Sequence, residues 1–415
     1  MRPRKNPLFI SEGFRAEEEV GVNIFDDIAP YEVRADAGTI TVKKLSPVLT
    51  GDALKIKFNA FVDGTMLLYR VASANYTGTP LYIACISAAV LVRGKDKLLR
   101  NTEFSRCLNL VLFPFKKYEE HIANRRVMLD IDVKDFNEAL KVAVTRRGFR
   151  FFLESDIGGS IGGASQPRGF SLSGSWVVCD TSFRGIGVEA GLSLIADEKE
   201  LYNPNRIKDI ARARSRYLMG LLEFYCLYKY LQKNPDRYVL ADGLVYPYRK
   251  VHKVFQIERH DYEQKMKNVV GFIKHPRRIP PDVFSMLPEI GETDYVEWEG
   301  RVSEAEVDAS KKKTDVHLQQ GAEIYKFALL RFRSNPHLQC TPVGIVKLQM
   351  GRETSSVEDI VTAVKYEKLP NPSDRRRLYN EPYPIEIAEK IARTLLPSEA
   401  RVRGFVLSVI PAAGY

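Results

Sequence analysis

Apolar residues recur along this chain with two different periods, and the changes between them delimit its elements. From residue 54, Leu54, Ile56 and Phe58 alternate with Lys55 and Lys57, the two-residue period of a half-buried strand. Phe61-Val62, Met66–Tyr69 and the apolar run Leu81–Val92 continue the β signal. Gly64 and the turn-rich Tyr76–Pro80 predict breaks, so the region reads as a strand, a turn and a further hairpin. Between Pro204 and Gln232 the period changes, with Ile207, Ile210, Tyr217, Leu221, Phe224, Tyr228 and Leu231 at helical spacing. Asn203 before Pro204 is a start signal and Asn234-Pro235 a stop.

Beyond that helix, Tyr238–Val245 predicts a short strand with Asp242 near its end, and Asn268–Lys274 a second one ending in a lysine. Strands near Ile324–Phe332 and Val343–Leu348 follow, with helices at Val357–Tyr366 and Pro384–Leu396. The middle of the chain is mixed, with strand-like Val127–Val133 and Arg150–Leu153 and a short helix around Lys134–Val144. The glycine-rich loop Asp156–Ala164 lacks the spacing of a phosphate-binding fingerprint and reads as a surface loop. Charge is dense over about 292–316, including Lys311-Lys312-Lys313, which predicts a solvated loop. The pattern as a whole is α/β with a mixed sheet flanked by helices.

Three carboxylates break this apolar patterning. Asp63 within Phe58–Tyr69, Glu223 within Tyr217–Tyr228 and Asp242 within Tyr238–Tyr248 are each the sole charge in their window. An ionised carboxylate there costs several kcal/mol unless it is paired, hydrogen-bonded or metal-bound. Strand, helix and strand are expected to bring the three together, and carboxylates that close resist ionisation unless a cation lies among them. An all-oxygen set suits Mn2+ or Mg2+ and phosphodiester hydrolysis.

Cations bracket each window: Lys57 and Arg70, Arg216 and Lys229, Arg237 and Arg249. The formal net charge of +10 is spread along the 415 residues, which favours a polyanionic partner. Arg212 and Arg216 share a helix face with Glu223, and Arg331 and Arg333 share a face of a predicted strand; these four are candidate nucleic-acid contacts. Tyr246, Tyr248, Phe255 and Tyr262 are candidates for stacking on single-stranded bases, against the alternative of core packing. The five cysteines are widely spaced with no C-x-x-C pair, as in a reducing compartment, and His337 with Cys340 lacks a second pair for zinc. Leu81–Val92 is too short to span a bilayer and no apolar leader follows Met1, so a cytoplasmic protein without membrane association is expected.

In order along the chain, Phe61-Val-Asp-Gly-Thr65, the helical Glu223, Leu240-Ala-Asp-Gly-Leu244 and Val270-Gly-Phe-Ile-Lys274 resemble motifs of the NurA family of nucleases, and Tyr383-Pro384 resembles its late G-Y-P element. The resemblance covers residues 54–396. It implies an RNase H-like core with Asp63, Glu223 and Asp242 as ligands of Mn2+ or Mg2+, and Lys274 and Tyr383 as further catalytic residues. It also implies a homodimer that acts on DNA as a single-strand endonuclease and 5′ to 3′ exonuclease. Its partner would be a HerA-like hexameric ATPase that translocates DNA, in end processing or phage defence. Residues 1–53 would be an N-terminal extension, 54–415 the nuclease domain, and about 95–200 an inserted subdomain. Two departures stand out: Ile385–Ala392 lacks the family's late-helix histidine, and Val346–Met350 replaces its R-x-E-x-P strand. They keep open an alternative, a catalytically weakened DNA-binding or assembly subunit of a translocase complex.

Overall fold

Among the described residues, fifteen strands hydrogen-bond into one mixed sheet in the computed structural model of the chain. The structure describes residues 8–9, 15–17, 31–35, 40, 42–46, 54–74, 78–114, 117, 170–173, 176–181, 198–243, 257–274, 276, 279–304, 323–333, 344–354, 356–368 and 382–409. The strands are β1 (Leu8–Phe9), β2 (Arg15–Glu17), β3 (Tyr31–Ala35), β4 (Val42–Lys44), β5 (Phe58–Ala74), β6 (Pro80–Arg93), β7 (Leu99–Asn101), β8 (Arg106–Phe113), β9 (Phe170–Ser173), β10 (Trp176–Asp180), β11 (Tyr238–Asp242), β12 (Val269–Ile273), β13 (Asp294–Glu304), β14 (Glu323–Arg331) and β15 (Ile345–Met350). The helices are α1 (Pro204–Lys233), α2 (Arg259–Met266), α3 (Pro281–Ser285), α4 (Val357–Tyr366), α5 (Tyr383–Leu395) and α6 (Glu399–Val409).

Across the sheet the order is β3-β13-β14-β15-β12-β11-β5-β6-β8-β10-β9. β5, β6 and β8 are antiparallel neighbours, whereas β11 runs parallel to β5 and β12 parallel to β11. The return from β8 to β11 contains α1, the kind of helical connection a parallel strand requires. One irregularity marks the β5–β11 ladder: Tyr238 pairs with Phe58 and Val239 with Ala60, so Asn59 is an extra residue on β5.

The two faces of the sheet carry separate cores. Ala60, Val62, Met66 and Leu68 of β5 pack with Val239 and Ala241 of β11 beneath α1, which contributes Ile207, Ile210, Leu218, Leu221 and Leu222. Phe61 of β5, Leu240 of β11 and Val270 and Phe272 of β12 pack on the other face with Ile360 and Val364 of α4 and Ile385 and Ala388 of α5. Each fully buried side chain of this size contributes about 1.5–3 kcal/mol. α1 begins where Asn203 Oδ1 accepts the Arg206 N–H at 3.1 Å, with Pro204 in the first turn where no donor is needed. α5 is pinned to β6 by Ser87 Oγ, which donates to the Ala392 carbonyl at 2.7 Å.

Several expectations are revised. Gly64 makes no turn: β5 runs unbroken through it for 17 residues. Residues 294–304 of the charge-dense stretch form the strand β13, with Val296 and Trp298 buried between the more exposed Glu297 and Glu299, while 305–316, with Lys311-Lys312-Lys313, lie outside the described residues. Charge on alternate positions marks the outward face of a strand as well as a solvated loop. The described parts of 95–200 include β7, β8, β9 and β10, which widen the main sheet. The N-terminal region also joins it, with β1 and β2 on β5 and β3 and β4 on β13. Val127–Val133, Lys134–Val144, Arg150–Leu153, Asp156–Ala164, His337 and Cys340 lie outside the described residues.

Candidate acidic site at the end of β11

β5 outruns its parallel neighbour, and the site forms at that step. β11 stops at Asp242, one residue past the Ala241–Val62 pair, while β5 continues through Asp63 to Ala74. Gly243 follows with φ +77°, a conformation glycine adopts without penalty. A crevice outside the carboxyl ends of parallel strands is where α/β sheets bind ligands.

Side-chain alternation assigns each group to a face. Asp63 lies two residues past Phe61, Asp242 two past Leu240, and Lys274 two past Phe272, so all three belong to the face that carries α4 and α5. They meet there: Lys274 Nζ lies 3.2 Å from Asp242 Oδ2 and 3.8 Å from Asp63 Oδ2. Asp63 is 4% exposed, and its Oδ1 accepts the Gly64 N–H at 2.7 Å. Asp63 Oδ2 and Asp242 Oδ1 are buried without a hydrogen-bond donor.

Glu223 comes from the opposite face. α1 lays its carboxylate over Gly64, where a Cβ would sit 2.0 Å from Glu223 Oε1. Gly64 is therefore the position that lets a helix side chain rest directly on the strand. Glu223 still belongs to the same electrostatic neighbourhood. Burial, then the Asp242 charge, raise its carboxyl from 4.5 to about 8, against a smaller lowering by Lys274. Asp63 is held well above the usual carboxylate range, chiefly by burial and then by Asp242, with Lys274 opposing and Glu389 and Glu223 adding to the rise. Glu389, on α5, carried no sequence signal of its own, because it lies in the charge-rich stretch Glu386–Lys390 of an amphipathic helix.

The remaining candidates separate. Arg331 is 1% exposed and donates from Nε to the Ile290 carbonyl at 2.8 Å and from Nη2 to the Leu287 carbonyl at 3.2 Å. It clamps the loop before β13 and is not available to a nucleic acid; the charge reads as a surface contact in sequence because its carbonyl partners lie over 40 residues away. Arg333 lies beyond the end of β14 and so does not extend that strand's face. Arg216 is buried and Arg212 half-buried on α1. Tyr262 is buried against Phe224, ring centroids 5.8 Å apart, a packing role. Tyr246, Tyr248, Phe255 and Arg249 lie outside the described residues. Tyr383 opens α5, 45% exposed, its N–H donating to the Glu367 carbonyl at 2.9 Å.

The donor set suits a hard divalent cation, since it offers only oxygens and two of them are buried without a donor. As the side chains stand, no three His, Cys, Asp or Glu among the described residues are grouped so as to hold a metal ion, and Lys274 is the cation between the two aspartates. No described helix is long and apolar enough to cross a membrane. Compared with protein families and with curated proteins, the chain matches no family model and no curated protein.

Proposed function

We propose that the chain is a divalent-metal-dependent deoxyribonuclease that hydrolyses phosphodiester bonds at the end of β11. The observation that carries this reading is the meeting of Asp63, Asp242 and Lys274 from three strands, with two carboxylate oxygens buried and lacking a donor. Three antiparallel strands, a helical return and two parallel strands support an RNase H-like core. The NurA-like motifs fall on that framework, with Asp63 on the first of these strands and Asp242 at the end of the fourth.

Asp63 and Asp242 would hold Mn2+ or Mg2+, with Glu223 reaching in over Gly64. Such an ion supplies Lewis-acid stabilisation of the phosphate and leaving oxygens. The chain's own groups do the rest. Lys274 meets the scissile phosphate as a point charge that can turn from the aspartates to the substrate. Glu223, whose carboxyl is raised to about 8 by burial in the absence of an ion, would release its proton on joining the ion as a ligand. The net charge of +10 favours a polyanionic substrate. Through the NurA resemblance the proposal extends to a homodimer docked on a HerA-like hexameric translocase in end processing or phage defence.

The test is cleavage of single-stranded DNA, with a matched RNA strand, in Mn2+ and Mg2+. The wild type is expected to cut DNA, and Asp63→Asn to stop cutting while keeping its far-ultraviolet circular dichroism. An uncut substrate with the wild type in both ions would overturn the reading, and salt-sensitive DNA binding alongside it would select a non-catalytic DNA-binding subunit. Equal cutting by Asp63→Asn would displace the site.

A further inference from the structure

Five large hydrophobic or aromatic side chains are exposed among the described residues, and two of them, Tyr366 and Tyr383, belong to one junction. Tyr366 ends α4 and Tyr383 opens α5, with fractional exposures of 56% and 45%. Backbone pairing brings these helix ends together: the Tyr383 N–H donates to the Glu367 carbonyl at 2.9 Å, and Lys368 bridges Pro382. A largely buried ion pair fixes the junction to the sheet. Arg93, at the end of β6, donates from Nη1 and Nη2 to the two carboxylate oxygens of Glu367 at 2.8 and 2.6 Å. Its guanidinium carbon lies 5.0 Å from the centre of the Phe61 ring. Phe61 precedes Asp63 by two residues on the same face, about 7 Å along the strand.

We infer that Tyr366 and Tyr383 form a platform on which unpaired bases of single-stranded DNA stack. The inference rests on the nuclease reading above and deepens it, since it names a second contact on the same substrate, made to bases and not to phosphate. A tyrosine ring offers any base a flat face with only two side-chain torsions to fix, so stacking on it tolerates every sequence. The platform needs a rigid backing, and the Arg93–Glu367 pair with its contact on Phe61 supplies one. Cations stand in the same stretch of chain. Lys365, next to Tyr366, has its Nζ buried without a hydrogen-bond acceptor, and Lys368 Nζ lies 2.9 Å from Glu292 Oε2. An ammonium without an acceptor is costly to bury, and turning its flexible stem outward to a strand phosphate relieves that cost. With the net charge of +10, this favours a polyanion that carries flat bases over a protein surface.

The experiment measures binding of a fluorescent single-stranded DNA oligonucleotide to the full chain by anisotropy, in EDTA so that no strand is cut, beside an abasic strand of the same length. Tyr366→Ala is expected to weaken binding of the base-bearing strand about 5- to 100-fold. It should leave the abasic strand and the salt slope unchanged, because no phosphate contact is lost. Tyr366→Phe should bind as the wild type does, since stacking uses the ring and not the hydroxyl. Lys365→Gln should weaken both strands alike and reduce the salt slope by about one. Wild-type affinity in Tyr366→Ala overturns the inference, as does an equal loss on both strands or a wild type that binds neither. Loss of a dimer in sedimentation with oligonucleotide affinity unchanged assigns the surface to a second copy of the chain and also overturns it. If Tyr366→Ala does not fold, Tyr366→Leu takes its place, and wild-type affinity there overturns the inference. Cleavage in Mn2+ with affinity independent of Tyr366 leaves the nuclease reading standing; binding through Tyr366 with no strand cut overturns the nuclease reading alone.

Discussion

At Asp63 and Gly64 the two faces of β5 handle the same problem, a carboxylate in an apolar surround, in opposite ways. The face under α5 concentrates charge: Asp63 and Asp242 share Lys274, with Glu389 near. The face under α1 keeps Glu223 in an environment that favours the protonated form. Neutralisation by a neighbouring cation and neutralisation by a proton both lower the cost of burial. They respond differently to pH and to added ions, and the contrast can be measured.

The largest effect is expected from the charged face. Asp63→Asn should reduce Mn2+-supported cleavage by on the order of a hundredfold or more, measured as initial rates on labelled single-stranded DNA, with the fold preserved. Cutting at the wild-type rate would remove this face from the chemistry.

Gly64→Ala tests the other face through steric displacement. The added methyl meets the far end of Glu223 and not backbone, so the carboxylate should swing aside with a stability change below about 1 kcal/mol. Cleavage should fall about 10- to 100-fold, as for a misplaced reacting group. Unaltered kinetics would mean that Glu223 acts only in packing.

The third prediction follows from the raised Glu223 carboxyl. A folded value of about 8, above the ordinary 4.5, means that the native state holds the proton more tightly than the unfolded chain. Its contribution to stability is full below pH about 4.5 and is lost as pH rises towards about 8. Glu223→Gln should therefore be more stable than the wild type at pH 8 by on the order of 2 kcal/mol, with little difference at pH 4, in metal-free denaturant melts. A gap independent of pH would show that folding leaves the Glu223 carboxyl at its ordinary value.

The smallest effect on DNA should come from Arg331, whose guanidinium holds backbone carbonyls. Arg331→Lys is expected to lower stability while leaving DNA affinity and its salt slope unchanged, read by fluorescence anisotropy across a salt series. A shallower slope would restore it to the DNA path.

Where one local period dominates, the sequence was sufficient. α1 was readable because seven apolar residues keep helical spacing between Asn203 and Asn234, and β12 because Val269–Ile273 is apolar throughout with Lys274 after it. Asp242 at the end of β11 and Tyr383-Pro384 at the start of α5 were likewise found where expected. What escaped depends on partners distant in the chain. Gly64 looks like a break until Glu223 is seen lying on it, and Arg331 looks like a surface charge until its carbonyl partners on 287 and 290 appear. Glu389 was hidden by its neighbours Glu386 and Lys390, since three charges within one helix turn read as a solvated face.

The extra residue at Asn59 sets the parity of β5 from Ala60 to Arg70, where the register shifts again. Counting alternately from Phe58 would put Asp63 on the side opposite Phe58, yet the two share a side, because one unmatched position shifts the phase of the pleat. Excising that position would carry Asp63 round to meet Glu223 and hand Gly64's gap to α5, exchanging the occupants of the two sides without altering any residue of the pair. A single surplus amide, four positions upstream in sequence, thus decides which helix the acid answers to.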